Sequence, residues 1–267
     1  MPPPPTSTPV PSSTPTTPTT TANLTADLTH HLTTRGLPPS ATWLTTTLLP
    51  TLRARPTTPL PALRQTALFR LLATDVTTTN TTSPSPLAHS PHSNRLPADV
   101  ATAGAAAAEQ RIPGPVALQV LDVEDVGRSR WGQAEALEAR ARGEGMKGRQ
   151  VVRLADGEGD GDGEERNGGG AGGGARTGPH KLLLVDAAGT RVYGFELVPV
   201  PGVDVERMGI GAKLVLRNAV VARGVVLLEP RTTTCLGGKV EALDKPWREG
   251  RLARLKEAAR MEEGEGR

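Results

Sequence analysis

Apolar positions change their rhythm partway along the chain. Leu24, Leu28 and Leu32 recur every four residues, the period of a helix with one buried face. Pro38-Pro39-Ser40 reads as a helix start, with Ser40 placed to cap it. Trp43, Leu44, Leu48 and Leu52 form the stripe behind that cap, and Pro50 is expected to end or kink the helix. A third stripe runs through Leu63, Leu68, Phe69, Leu71 and Leu72. Three short helices over 22–77 would make a small bundle, left marginal on its own by the many threonines between them.

From Pro115 the apolar runs become strand-like. Val116 to Val123, Lys181 to Asp186, Thr190 to Val200, Lys213 to Leu216 and Gly224 to Glu229 are five such runs. Asp186-Ala187-Ala188-Gly189 reads as the hairpin turn between the second and third, and Pro199 and Pro201 end the third. Five short strands rich in Val and Leu fit the five-stranded Greek-key barrel called the OB-fold. Gly237-Gly238 then marks a turn into a helix over 239–263. Its apolar positions are Leu243, Trp247, Leu252 and Leu255, its basic ones Arg248, Arg251, Arg254, Lys256 and Arg260, and Pro246 is expected to break it near its start. The fold class expected is mainly β with a helical N-terminal segment.

Composition bounds how much of this can pack. With 30 Gly, 25 Pro, 2% aromatic and 36% hydrophobic residues, a single core through all 267 residues is excluded. Residues 1–21 hold eight Pro and eight Thr and are expected to be a disordered tail. Residues 78–110 read as a linker, residues 111–238 as the barrel, and 239–267 as a C-terminal helix and tail. An insertion at about 127–179 interrupts the barrel. It opens with Trp131, Ala134, Leu137 and Ala141 at helical spacing, then passes into the acidic run 156–165 and the glycine run 168–174, expected to be flexible. No apolar run approaches the roughly 18 residues of a bilayer span, so no membrane association is expected. The N-terminus lacks the apolar core of a signal peptide. The single Cys235 makes neither an internal disulfide nor a cysteine zinc site and suits a reducing compartment. A net charge of +3 permits a nucleic-acid partner without demanding one.

Several blocks together resemble one family. Leu227-Leu228-Glu229-Pro230 followed by Leu236-Gly237-Gly238-Lys239-Val240-Glu241-Ala242-Leu243 is similar to a pattern of the RecQ-mediated genome instability protein 1 family. Leu182 to Asp186, Tyr193-Gly194-Phe195-Glu196, Val198-Pro199-Val200-Pro201, Gly211-Ala212-Lys213 and Ala117-Leu118-Gln119-Val120 follow the same order. Leu37-Pro38-Pro39 with Trp43-Leu44, and Leu71-Leu72-Ala73-Thr74-Asp75, resemble its N-terminal helical segment. The resemblance covers residues 22–77 and 111–258, but not the acidic and glycine-rich insertion, and it suggests the short form with one barrel. It implies a nuclear, non-enzymatic subunit that binds topoisomerase III and works with a RecQ-family helicase. In that family the insertion reaches the topoisomerase's DNA gate, and the complex supports decatenation and dissolution of double Holliday junctions. On this basis Lys213, Arg128, Trp131, Leu137 and Arg142 are the expected partner contacts.

Other chemistries find few residues to carry them. Asp156, Glu158, Asp160 and Asp162 lack the ligand pattern and flanking helices of a calcium loop, and His89 and His92 lack further zinc ligands nearby. Gly168 to Gly174 has no Lys-Ser/Thr ending for a phosphate loop, and no Gly-x-Ser-x-Gly elbow occurs. No enzyme activity, cofactor or small-molecule substrate is expected. The rival reading is an independent single-stranded DNA binder, with weak contact to single-stranded or branched DNA. Tyr193 and Phe195, two apart on one strand, would stack bases, and Arg217 and Arg223 would meet phosphates; Lys213 and Arg231 are further candidates for phosphate contact. The same side chains equally suit the filling of a barrel mouth and a solvated or protein-facing rim.

Overall fold

A computed structural model describes residues 21–53, 58–77, 85–90, 93–100, 109–143 and 178–265. The tail 1–20, His92, the acidic run and the glycine run lie outside the described residues.

The N-terminal segment is helical. Helix α1 spans Thr21–Thr33. A second helical stretch is built from α2 (Ala41–Trp43), a π-helical turn (Leu44–Leu48) and α3 (Leu49–Arg53), followed by α4 (Leu60–Ala73). Ser40 caps as expected: its backbone is extended and its Oγ accepts from the Trp43 N–H at 3.1 Å. Pro50 does not end the helix. The turn before it is wound wide, with the Leu49 N–H reaching back to the Leu44 carbonyl, and such a bulge relieves the crowding a proline ring imposes on the preceding turn. Leu28, Leu32, Trp43, Leu44, Leu48, Leu52 and Leu71 are buried together. Phe69, read as part of the third stripe, instead faces outward and is 71% exposed.

Among the described residues eight strand segments follow rather than five. They are β1 (Glu109–Ile112), β2 (Val116–Asp125), β3 (His180–Asp186), β4 (Arg191–Glu196), β5 (Lys213–Leu216), β6 (Ala219–Ala222), β7 (Val225–Leu228) and β8 (Thr233–Gly237). β2, β3 and β4 form an antiparallel meander, and β4 pairs in parallel with β7. β5 and β6 are two halves of one bent strand, divided at Asn218, whose φ is 51°. The first half pairs with β2 and the second with β7, so the pairings run as a ring through β2, β3, β4, β7 and the bent strand. β1 adds to β6, and β8 adds to β5.

The interior of this ring holds Leu118, Val120, Leu182, Leu184, Leu214, Val226 and Leu228, each at most 1% exposed. Side chains of this size gain roughly 1.5–3 kcal/mol each on burial. Gly194 faces inward where an added Cβ would lie 3.0 Å from both Leu184 and Leu228, which is why a strand interior tolerates a glycine there. A bulge in β2 between Val120 and Asp122 resets the alternation, so that Val123 and Asp125 point inward beyond it.

The helical segment packs on the outside of β2 and β5, sharing one apolar cluster with Ala117, Ala187 and Val215. The stretch read as a linker does more than connect. Leu87 enters the helical core, while Leu96 and Val100 enter the barrel core, and Asn94 and Asp186 accept from the backbone N–H groups of Ala117 and Leu96. These apolar residues are too isolated in sequence to show a period.

Helix α5 (Arg130–Ala141) opens the insertion and packs against α6 (Glu241–Glu265). α6 runs through Pro246 without a break, held on either side by Asp244, which accepts from the Ile210 N–H, and by Trp247, whose indole donates to Asp122 at 2.6 Å. No helix among the described residues is long and apolar enough to cross a membrane.

Candidate partner interface

Because β4 alternates, Val192, Gly194 and Glu196 face the barrel interior while Arg191, Tyr193 and Phe195 face out. Tyr193 lies in register with Leu183 on β3 and Val225 on β7, and Phe195 with Lys181 and Leu227. The helical segment covers other strands and leaves this face bare. Tyr193 is 50% exposed, and past the strand end Leu197 and Val198 are 56% and 47% exposed. Leu183, Phe195, Val225 and Leu227 are half-buried. The result is a continuous apolar strip on the outer barrel wall, edged by Lys181, whose ammonium sits 5.4 Å from the Tyr193 ring centre and 3.0 Å from Glu124. Contiguous exposed apolar surface of this kind is a candidate docking face. Leu183, Leu197, Val198 and Leu227 were missed as site residues. Their signal was the alternation of β4 carried past its end, and the outward partners on its two neighbours.

Of the four residues named for nucleic acid, Tyr193 and Phe195 share the outer face of β4, whereas Arg217 and Arg223 stand apart. Arg217 lies at the bend before β6 and Arg223 at the turn after it, so they stand at opposite ends of that strand, on the order of 20 Å apart along it. Arg223 has φ 48° and forms the tight β6–β7 hairpin turn with Gly224.

The expected partner contacts separate likewise. Lys213 is not on the surface: it is fully buried, and its Nζ donates to the carbonyls of Gly211 at 2.6 Å and Leu72 at 3.2 Å. It therefore fastens the helical segment to the barrel instead of meeting a partner. Burial pushes its pKa down to about 7, against a smaller opposing pull from Asp75. Beside it, buried Gln119 accepts from the Val76 N–H and donates to Asp75 at 2.9 Å. Arg231, the other further candidate for phosphate contact, is exposed and paired with Glu229.

Trp131 is exposed, with its indole donating to Glu135 at 3.0 Å. Leu137 is half-buried between α5 and α6. Arg128 is exposed, its carbonyl accepting from Gln133, and Arg142 lies 4.0 Å from Glu138.

The basic face of α6 is largely engaged within the molecule. Arg248 pairs with Asp244, Arg251 with Glu206 and Lys256 with Glu138, while Arg251 and Arg254 flank the Trp247 ring at 5.6 and 5.5 Å. Cys235 is half-buried in β8, its thiol pushed up by burial.

The insertion is pinned at its root. Asp125 Oδ1 accepts from the backbone N–H groups of Gly127 and Gly178, at 3.0 and 3.1 Å, and the Val126 N–H donates to the Pro179 carbonyl. Next to it His180 Nδ1 lies 2.6 Å from Glu196 Oε2, both side chains buried. Burial raises the Glu196 carboxyl, but donors from the His180 ring and from the Val200 and His180 backbones outweigh it and leave the group below the usual range. Among the described residues no cluster of three or more His, Cys, Asp or Glu is placed to hold a metal ion.

Residues 96–251 match the family described as RMI1, N-terminal OB-fold domain, and residues 32–79 match RMI1, N-terminal helical domain. The chain is 31% identical over 149 residues to RecQ-mediated genome instability protein 1 of Schizosaccharomyces pombe, covering 53% of this chain and 63% of that protein. It thus spans somewhat under two-thirds of that relative's length.

Proposed function

From the premise that the chain belongs to the RecQ-mediated genome instability protein 1 family, we propose that it is a non-catalytic scaffold and regulatory subunit of a nuclear complex between a RecQ-family helicase and topoisomerase III. In this reading it promotes decatenation and dissolution of double Holliday junctions, and so serves recombination, repair and replication.

The observation that carries the proposal is the bare apolar strip of Tyr193, Phe195, Leu197 and Leu227 on the barrel wall. A strip of aromatic and aliphatic side chains suits a protein surface, because buried groups of this type dominate interface energies. The insertion, anchored at Asp125 and stiffened at its start by α5, supplies a second contact beside it, with Trp131 as its anchor. Capture of purified topoisomerase III by the full chain tests the proposal. The Tyr193→Asp, Leu197→Asp double variant is expected to lose capture with thermal unfolding unchanged, and undiminished capture rejects the surface. In the rival reading, fluorescence anisotropy with a labelled oligonucleotide detects tight binding at physiological salt that collapses with Tyr193→Ala.

A further inference from the structure

The outer face that carries the apolar strip continues across Leu227 and its register partner Val220 to Arg111 on β1, where the surface deepens into a cleft. β1 supplies Arg111, the bend between β5 and β6 supplies Arg217, and the turn after β7 supplies Glu229 and Arg231. Together they enclose an open cleft of about 490 Å³ with Val220 and Leu227 as its floor.

Its frame is fixed by main-chain bonds. The Arg217 N–H donates to the Thr232 carbonyl at 2.8 Å, and the Asn218 N–H donates to the Pro113 carbonyl at 3.0 Å. These bonds join all three contributing segments. Arg217 also lies along the turn between α1 and α2: a Cβ added at Gly36 would fall 3.2 Å from its Nη2. The cleft's cations are unevenly matched. Arg231 pairs with Glu229, while Arg111 and Arg217 make no ion pair among the described residues. The site therefore carries two uncompensated guanidinium groups beside an aliphatic floor.

We propose that this cleft binds an acidic peptide segment of a partner protein, with carboxylates on Arg111 and Arg217 and an apolar side chain between them on Val220 and Leu227. Guanidinium groups pair with carboxylates through two parallel hydrogen bonds, which makes such a site selective as well as attractive. Single-stranded nucleic acid fits less well. No aromatic ring lines the cleft to stack a base, and the floor asks for an apolar group.

The test pans a phage-displayed library of random twelve-residue peptides against the full chain. Enriched peptides are then fluorescein-labelled and titrated by anisotropy. The expected result is enrichment of Asp and Glu flanking an apolar residue, with affinity falling at least tenfold in the Arg111→Ala, Arg217→Ala double variant. Replacing the peptide's acidic residues with Asn and Gln is expected to cause a similar loss, which tests the claim without relying on the variant's folding. Failure to enrich acidic peptides, or equal binding of them to the double variant, overturns the proposal. So does binding of a twenty-residue oligo-dT that is lost in the double variant while peptide binding is unaffected. The Tyr193 and Leu197 variants leave both arginines intact, so failure at the apolar strip and failure at this cleft are distinguishable.

Discussion

Lys213 shows how one side chain can be misread without its surroundings. A lysine opening a strand after Gly211-Ala212 looks like a rim residue, yet here its ammonium donates to two backbone carbonyls, one of them 141 residues away. Backbone acceptors leave no mark in sequence. Because burial lowers its pKa to about 7, the unfolded chain binds this proton more readily than the folded one between about pH 7 and the ordinary lysine value. Its contribution to stability therefore rises with pH across that window, by at most about 1.4 kcal/mol per pH unit, and is flat below it. Chemical denaturation from pH 7 to 10 is expected to show this slope in the native chain and to lack it in Lys213→Met. Lys213→Glu is expected to cost about 3–5 kcal/mol by placing a carboxylate against two carbonyls; an unchanged denaturation midpoint would contradict the buried latch.

Among the elements, the long apolar runs were legible and the short polar ones were not. β2, β3, β4, β5 and β7 overlap the five expected runs, β4 stopping at Glu196 although its run was expected to reach Val200, and the Ser40 cap announced its helix. β1 is Glu-Gln-Arg-Ile and β8 is Thr-Thr-Cys-Leu-Gly, segments whose strand character comes from the neighbour they pair with. β6 was hidden because it continues β5 past a bend that only Asn218's left-handed backbone reveals. The bare strip was half legible: Tyr193 and Phe195 were placed on one face, but their aliphatic neighbours lie on strands whose register no local pattern gives. At the root of the insertion, Asp125→Ala removes the acceptor that both chain ends share. Limited proteolysis mapped by mass spectrometry is expected to show several-fold faster cleavage near residues 127–130 and 178–180, with a stability loss of about 1–3 kcal/mol. Unchanged cleavage at those sites would mean that the ends are held by something else.

For the molecule as a whole, the division between helical segment and barrel is less sharp than the sequence suggests. The Lys213 and Gln119 bonds, the shared cluster with Ala117 and Val215, and the strap through Leu87 and Leu96 tie the two together. They are therefore expected to unfold as one unit. Leu28→Ala is expected to lower stability by about 2–5 kcal/mol while Trp43, in the helical segment, and Trp247, beside the barrel, report coincident transitions in variants that retain only one of them. Two separated transitions would show that the segments fold independently.

The collar at Asp125 has a consequence for how such a chain changes over time. Since the excursion departs and returns at a single clasp, and α5 is held against α6, whatever is strung between the end of α5 and Gly178 can lengthen, shrink or be exchanged with little penalty to the cylinder beneath it. A graft of unrelated sequence there should leave the scaffold standing, so partner choice is free to diverge at that spot faster than architecture does.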